Sequence, residues 1–354
     1  MSATRATLRT GDGASAIRTR PCPSCYLCES PGELLYENLA DRLFGSPGKW
    51  NLRRCPNSNC GMVWLDPIPI EEDIGEAYRA YYTHQPDAIP AKNLARRFYS
   101  RIRMGYLRTK YDYRQGGRTR WDHLFALLAY LNPIRRASFD FSVFYLRSKV
   151  HGRLLELGCG SGLMLESMQG LGWRVDGVDF DSVAVTQARD KGLTVHLGSL
   201  AEQLFPNETF DAITASHAIE HVGDPLGVLR ECRRMLKPGG LLVLITPNAA
   251  SWGHRIYKAD WRGLEPPRHI RIFTPSSLAT LCRRAGFNLV LSRSTVRSSG
   301  ILLASRRLKR GEKILAGRPH WPLSLWDEMR TLVQWAGTFV DPEAGEEILS
   351  ISAK

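Results

Sequence analysis

The chain has 354 residues, 43% of them hydrophobic, and a formal net charge of +13. That is long enough for two domains, or for one large domain with an appendage, and apolar enough to fill a core. No stretch approaches the ~18–20 apolar residues of a membrane span, so no membrane-spanning helix is expected. The first twenty residues contain Arg5, Arg9, Arg18 and Arg20 but no apolar run, which argues against a secretory signal. A cytoplasmic protein is expected, with peripheral contact at a membrane as a variant. Most of the basic excess falls between Arg79 and Lys149, and such a segment suits acidic partners.

In chain order, residues 1–20 read as a flexible arm. Residues 21–70 are turn-rich, with short strands expected at Glu33–Glu37, Trp50–Arg54 and Met62–Leu65. A helix is expected over 71–82, a linker at Pro86 and Pro90, and one or two helices over 92–131. Together, residues 71–150 read as a basic helical connector. From Arg153 the pattern alternates. Strands are expected at 154–157, 174–179, 194–197, 210–214 and 241–245, with helices at 163–169, 182–191 and 225–236. This alternation implies an α/β fold, a mostly parallel sheet with helices on both faces. Glu347–Ser352 is expected as a last, antiparallel strand, and an amphipathic helix near Trp326–Ala336 is expected to pack on the core.

Glu156-Leu-Gly158-Cys-Gly160-Ser-Gly162 stands where a strand meets a helix. Glycines let backbone approach a ligand closely. The acidic Glu156 would repel a pyrophosphate, which favours a bare helix N-terminus, but suits the amino group of a methionyl moiety. Asp179 ends the next strand, where a carboxylate can accept from both hydroxyls of a ribose, and Phe180 can pack on an adenine. Together with Phe210-Asp-Ala-Ile, Glu220-His-Val and Leu236-Lys-Pro-Gly-Gly, this series resembles the class I S-adenosylmethionine-dependent methyltransferases over residues 151–295. The resemblance implies a Rossmann-like sheet and S-adenosylmethionine held by Glu156, Gly158, Gly160, Gly162, Asp179 and Phe180. Ser199, Leu200 and Ser216 complete the expected cofactor set, Ser199 standing where many relatives carry an aspartate.

Five of the eight cysteines precede residue 61. Cys25-x2-Cys28 and Cys55-x4-Cys60 can close a tetrahedral thiolate site, which predicts a zinc-ribbon-like module with structural zinc; Cys22 is a fifth thiol. Cys60-Gly-Met-Val-Trp-Leu-Asp-Pro67 is similar to the end of a cysteine-rich unit in bacterial methyltransferases acting on sugars or other small molecules.

Ligands of open α/β sheets sit beyond the carboxyl ends of the strands, so Ser216-His217-Ala-Ile-Glu220-His221 lines the mouth of the cleft. The string also matches His-x-x-Glu-His, but that metalloprotease signature needs a long helix rather than a strand end. Glu-His-Val resembles the motif of quinone-type O-methyltransferases, with His217 in the place of an acidic residue. A His217/Glu220/His221 metal site is one reading, and a proton-accepting histidine the preferred one. Residues 251–272 read as a substrate lid that aims His269 into the cleft, with Trp261 as a stacking floor. The catalytic candidates are therefore His221, His269 and His217, in a methyltransferase domain spanning 151–354.

The expected activity is methylation of a small-molecule or glycan substrate, at a hydroxyl of a sugar, glycan or lipid-linked intermediate. The rivals are an RNA methyltransferase using the basic connector and a cofactor-fold binding protein without turnover. No Asn-Pro-Pro-Tyr-like motif follows the fourth strand, which disfavours nucleic acid. Residues 92–120 are the expected acidic or membrane-surface contact.

Overall fold

The computed structural model describes residues 17–78, 94–114, 117, 119–297, 300–312 and 325–354. The amino-terminal part contains β1 (Thr19–Arg20), β2 (Glu33–Leu39), β3 (Trp50–Arg54), β4 (Val63–Leu65) and β5 (Ile68–Pro69). A 3-10 helix follows at Glu71–Tyr78, and then α1 (Leu94–Tyr111), α2 (Asp122–Tyr130) and α3 (Pro133–Phe141). The expected arm is corrected at its end: Thr19 and Arg20 pair antiparallel with Pro69 and Ile68, and Arg18 forks onto Asp73. The expected helix over 71–82 is the tighter 3-10 form as far as Tyr78. Residues 1–16, the Pro86–Pro90 linker and Trp321–Ser324 lie outside the described residues.

The second half runs β6 (Arg153–Leu157), α4 (Leu163–Gly170), β7 (Arg174–Asp179), α5 (Ser182–Asp190), β8 (Thr194–Leu197), β9 (Phe210–Ser216), α6 (Pro225–Met235) and β10 (Leu236–Pro247). It continues through α7 (Trp252–Tyr257), β11 (Arg271–Ile272), α8 (Pro275–Arg284), β12 (Asn288–Thr295), α9 (Gly300–Lys309), α10 (Leu325–Gly337) and β13 (Glu347–Ala353). The seven-stranded sheet has the order β12-β13-β10-β9-β6-β7-β8, with β13 antiparallel to both neighbours and the others parallel. This is the α/β architecture expected from the alternating pattern. The central strands are buried on both faces, as an interior parallel sheet requires.

Local signals set the helix starts. Asp181 accepts from Val183 and Ala184 backbone amides, Asp224 accepts from Gly227 ahead of Pro225, and Thr274 and Ser277 form a reciprocal capping box. The second sheet has the order β11-β4-β3-β2. Its fourth strand, Arg271–Ile272, comes from beyond residue 250 and pairs with Trp64 and Val63. The cysteine-rich unit and the methyltransferase half thus share a sheet, and Thr274 Oγ1 donates to the Cys60 carbonyl at 2.5 Å.

Candidate active site

The cofactor end is built at the carboxyl ends of β6 and β7. Glu156, Gly158, Gly160, Gly162 and Asp179 meet there as the sequence predicts. Gly158 and Gly162 have φ of +67° and +79°. A Cβ on Gly158 would meet Ala218 Cβ at 2.9 Å, and one on Gly162 would meet Leu193 Cδ1 at 2.4 Å, so both positions demand glycine on two counts. Asp179 Oδ2 accepts from the Gly160 amide at 2.7 Å, and Oδ1 from the Asp181 amide at 2.9 Å. Burial raises its pKa despite these bonds. Burial, with the Asp179 charge nearby, also pushes Glu156 well above the usual carboxylate range. Glu156 Oε2 is buried without a hydrogen-bond partner among the described residues, and such a carboxylate oxygen in a glycine cradle suits a cationic ligand. The residues therefore fit S-adenosylmethionine. Phe180 stays half exposed, its ring edge-on to Tyr78 with centroids 4.9 Å apart. Ser199 is held by its amide on Glu202, and Ser216 ends β9 half-buried. Leu200 packs in the main core.

The second cluster lies at the ends of β9 and β10. His217 adopts φ +53° and turns toward Glu347, its Nε2 2.9 Å from Oε1, while its Nδ1 lies 3.4 Å from Glu220 Oε1. Burial opposes a charge there, but Glu220 and Glu347 outweigh it and push His217 up to about 9. An imidazolium held in an ion-pair network serves poorly as a proton acceptor.

His221 and His269 face one another, ring centroids 4.8 Å apart. His221 Nδ1 is 2.9 Å from the Arg268 carbonyl and 2.8 Å from Tyr78 Oη; His269 Nδ1 is 2.7 Å from the Gly263 carbonyl. A carbonyl only accepts, which assigns the proton of each ring to Nδ1 and leaves the Nε2 lone pairs available. Burial draws His269 down to about 4, so it stays neutral. Glu220 is fully buried; Thr246 Oγ1 donates to its Oε2 at 2.9 Å, while Oε1 faces His217 Nδ1 at 3.4 Å and His269 Nε2 at 4.0 Å. Donor atoms of Glu220, His221 and His269 lie within 4.8 Å of one another, a carboxylate and two imidazoles of the kind that hold a divalent cation. His269 thus joins Glu220 and His221 in this cluster, while His217 touches Glu220 from its Glu347 side.

Sequence reading missed Tyr78 and Arg268. Arg268 is wholly buried: its guanidinium reaches Glu265 at 2.9 Å, Asp41 at 2.9 Å, and Ser46 Oγ and the Ala77 carbonyl at 2.8 Å each. It thereby ties the 3-10 helix bearing Tyr78 to the segment bearing His269. The expected stacking floor is corrected as well. Trp261 is 1% exposed, stacked on His254 at 4.8 Å, and its Nε1 donates to Glu346 at 2.7 Å. It anchors the 251–272 segment from inside.

Cys25, Cys28, Cys55 and Cys60 converge, their sulfurs within 4.8 Å of one another, with Cys25 and Cys60 3.8 Å apart. The Cys60 contact draws the Cys25 thiol downward, toward thiolate. The four sulfurs suit a structural tetrahedral zinc and leave no open position.

A methyltransferase-domain family model matches residues 123–292. A ubiquinone biosynthesis O-methyltransferase of Cereibacter sphaeroides is 39% identical over 150 residues, which are 39% of this chain and 61% of that protein. The chain thus spans under two thirds of that relative's length. One of the same description from Burkholderia ambifaria is 32% identical over 173 residues, 45% of this chain and 73% of that protein. A solved S-adenosylmethionine-dependent methyltransferase from Mesorhizobium loti overlays with TM-score 0.41 at 16% identity, over 62% of this chain and 98% of that one. With the glycine cradle, the family model and the Burkholderia ambifaria relative together, the chain belongs to the class I S-adenosylmethionine-dependent methyltransferases.

Proposed function

We propose that the protein methylates a hydroxyl of a small-molecule acceptor, with His221 taking the hydroxyl proton. S-adenosylmethionine, when bound, supplies an electrophilic methyl group. Glu156, the glycine cradle and Asp179 would hold it at the β6–β7 end, with Phe180 alongside. The observation that carries the reading is the pair of imidazoles whose Nδ1 protons are committed to backbone carbonyls, beside the buried Glu220. A ring so fixed keeps one tautomer, with the Nε2 lone pair ready to accept a proton.

His221 is the half-exposed member of the pair and His269 the buried one. His221 is therefore the ring an acceptor can reach, and His269 orients it. The Arg268 carbonyl and Tyr78 keep His221 from rotating, and positioning of this kind supplies much of the rate in a direct displacement. The relatives named for O-methylation support the hydroxyl class. A sugar, glycan or lipid-linked intermediate remains the acceptor class we favour. The test is S-adenosylhomocysteine release across a panel of hydroxylated acceptors, beside His221→Asn. Turnover lost by about 100-fold or more in that variant, with cofactor affinity retained, supports the reading; equal turnover sinks it.

A further inference from the structure

Helix α2 carries its bulk on the outside. Asp122, Ala126 and Ala129 are buried, the alanines among the helices around it. A Cβ on Gly105 of α1 would sit 2.6 Å from Phe125 Cβ, so the two helices approach closely. The large apolar side chains are left outward: Trp121, Leu124, Leu127 and Leu131 are 51, 48, 65 and 79% exposed. Spacings of three, three and four place them on one stripe. Among the described residues nothing covers it, and an apolar stripe of this length marks an interaction surface.

Its surroundings are cationic. Arg120 lies over the Trp121 ring at 5.0 Å and Arg136 over Tyr130 at 4.9 Å, while Arg96, Arg97 and Arg101 are exposed on α1. The nearby carboxylates are already engaged: Asp122 is buried on Arg108, Asp140 is buried on Lys110, and Asp112 pairs with Arg114. Leucines flanked by Trp, Tyr and Arg match a headgroup boundary, where apolar side chains enter the acyl region and cations meet phosphate. A second copy fits poorly, because docking this face on itself would bring arginines together. Nucleic acid would use the arginines but leave the leucine stripe unexplained.

We propose that the α1–α2 hairpin docks the protein on an anionic lipid bilayer, with the Trp121–Leu124–Leu127–Leu131 stripe entering the interface. The connection to the cleft runs through α3. Ser138 Oγ donates to the Arg297 carbonyl at 2.8 Å, and the Arg297 guanidinium sits 3.7 Å above Phe141 and pairs with Glu347, the partner of His217. A docked hairpin therefore sets the mouth of the sheet one helix away from the lipid surface. This inference does not rest on the choice of acceptor.

The test is co-sedimentation of the full chain with vesicles of phosphatidylglycerol and phosphatidylcholine, against phosphatidylcholine alone. Alongside go Leu124→Ser/Leu127→Ser/Leu131→Ser, Arg120→Ser and Arg136→Ser, each checked for folding by S-adenosylhomocysteine binding. The wild type is expected on the anionic vesicles and released by salt. The triple variant should lose about tenfold or more of its partition, and each arginine variant about fivefold. Wild type that binds cofactor but not anionic vesicles overturns the proposal. So do equal binding to both vesicle types, a triple variant that partitions like wild type, and a wild-type dimer that the triple substitution dissociates. Cofactor binding is read separately, so failure here is distinct from failure of the methyltransferase reading.

Discussion

Tyr78 Oη lies 2.8 Å from His221 Nδ1, and the Tyr78 ring meets Phe180 edge-on. One side chain from a 3-10 turn thus touches both the cofactor side and the proton-accepting side of the cleft. Tyr78→Phe keeps the ring and removes the oxygen. It should leave the affinity for S-adenosylhomocysteine within about threefold and lower kcat about tenfold, the worth of one hydrogen bond. An isothermal titration beside a turnover assay separates the two effects, and an unchanged kcat would remove Tyr78 from the positioning of His221.

Trp261 distinguishes a core anchor from a substrate floor. With its ring on His254 and its Nε1 on Glu346, Trp261→Ala should cost about 3–5 kcal/mol of stability. Urea unfolding measures this directly. A variant of normal stability whose acceptor KM alone rises would restore the floor.

The four-cysteine cluster should carry close to one equivalent of zinc per chain. Cys25→Ser or Cys60→Ser should abolish that zinc and lower Tm, because a structural metal contributes folding free energy. Elemental analysis showing less than about half an equivalent in the wild type would argue for a ribbon that has lost its metal.

Much of this was readable in the sequence, for physical reasons. The glycine loop, Asp179 and the alternation of strands and helices are local patterns, in which residue type and spacing fix a turn or a face. What escaped was set by packing between distant segments. Nothing near residue 78 announces a contact with His221, since Arg268 draws that turn in through the Ala77 carbonyl. The pairing of His217 with Glu347 has a similar cause: a left-handed φ at His217 turns the ring toward a strand 130 residues further on. Trp261 was misassigned because composition marks aromatic residues in a loop without telling which way they point.

Asp211 gives a pH prediction. Burial disfavours its charge, but the Arg153 amide, Lys149 and Lys237 outweigh burial and hold it down to about 2. A depressed carboxylate stabilises the fold above its unfolded pKa, and that contribution is lost as pH falls through about 2. Both lysines are well exposed, so screening trims the effect to about 1–2 kcal/mol. Asp211→Asn should lower stability by that amount at neutral pH, with the difference vanishing in strong acid. A difference that persists unchanged at the acid end would assign the effect to packing.

The most direct test of the central claim is calorimetric titration of the folded chain with S-adenosylhomocysteine, beside Asp179→Ala. The account predicts micromolar binding by the wild type and a loss of about 10–100-fold in the variant, from removal of charge-assisted hydrogen bonds. No binding by a well-folded wild type, or binding indifferent to Asp179, would contradict it.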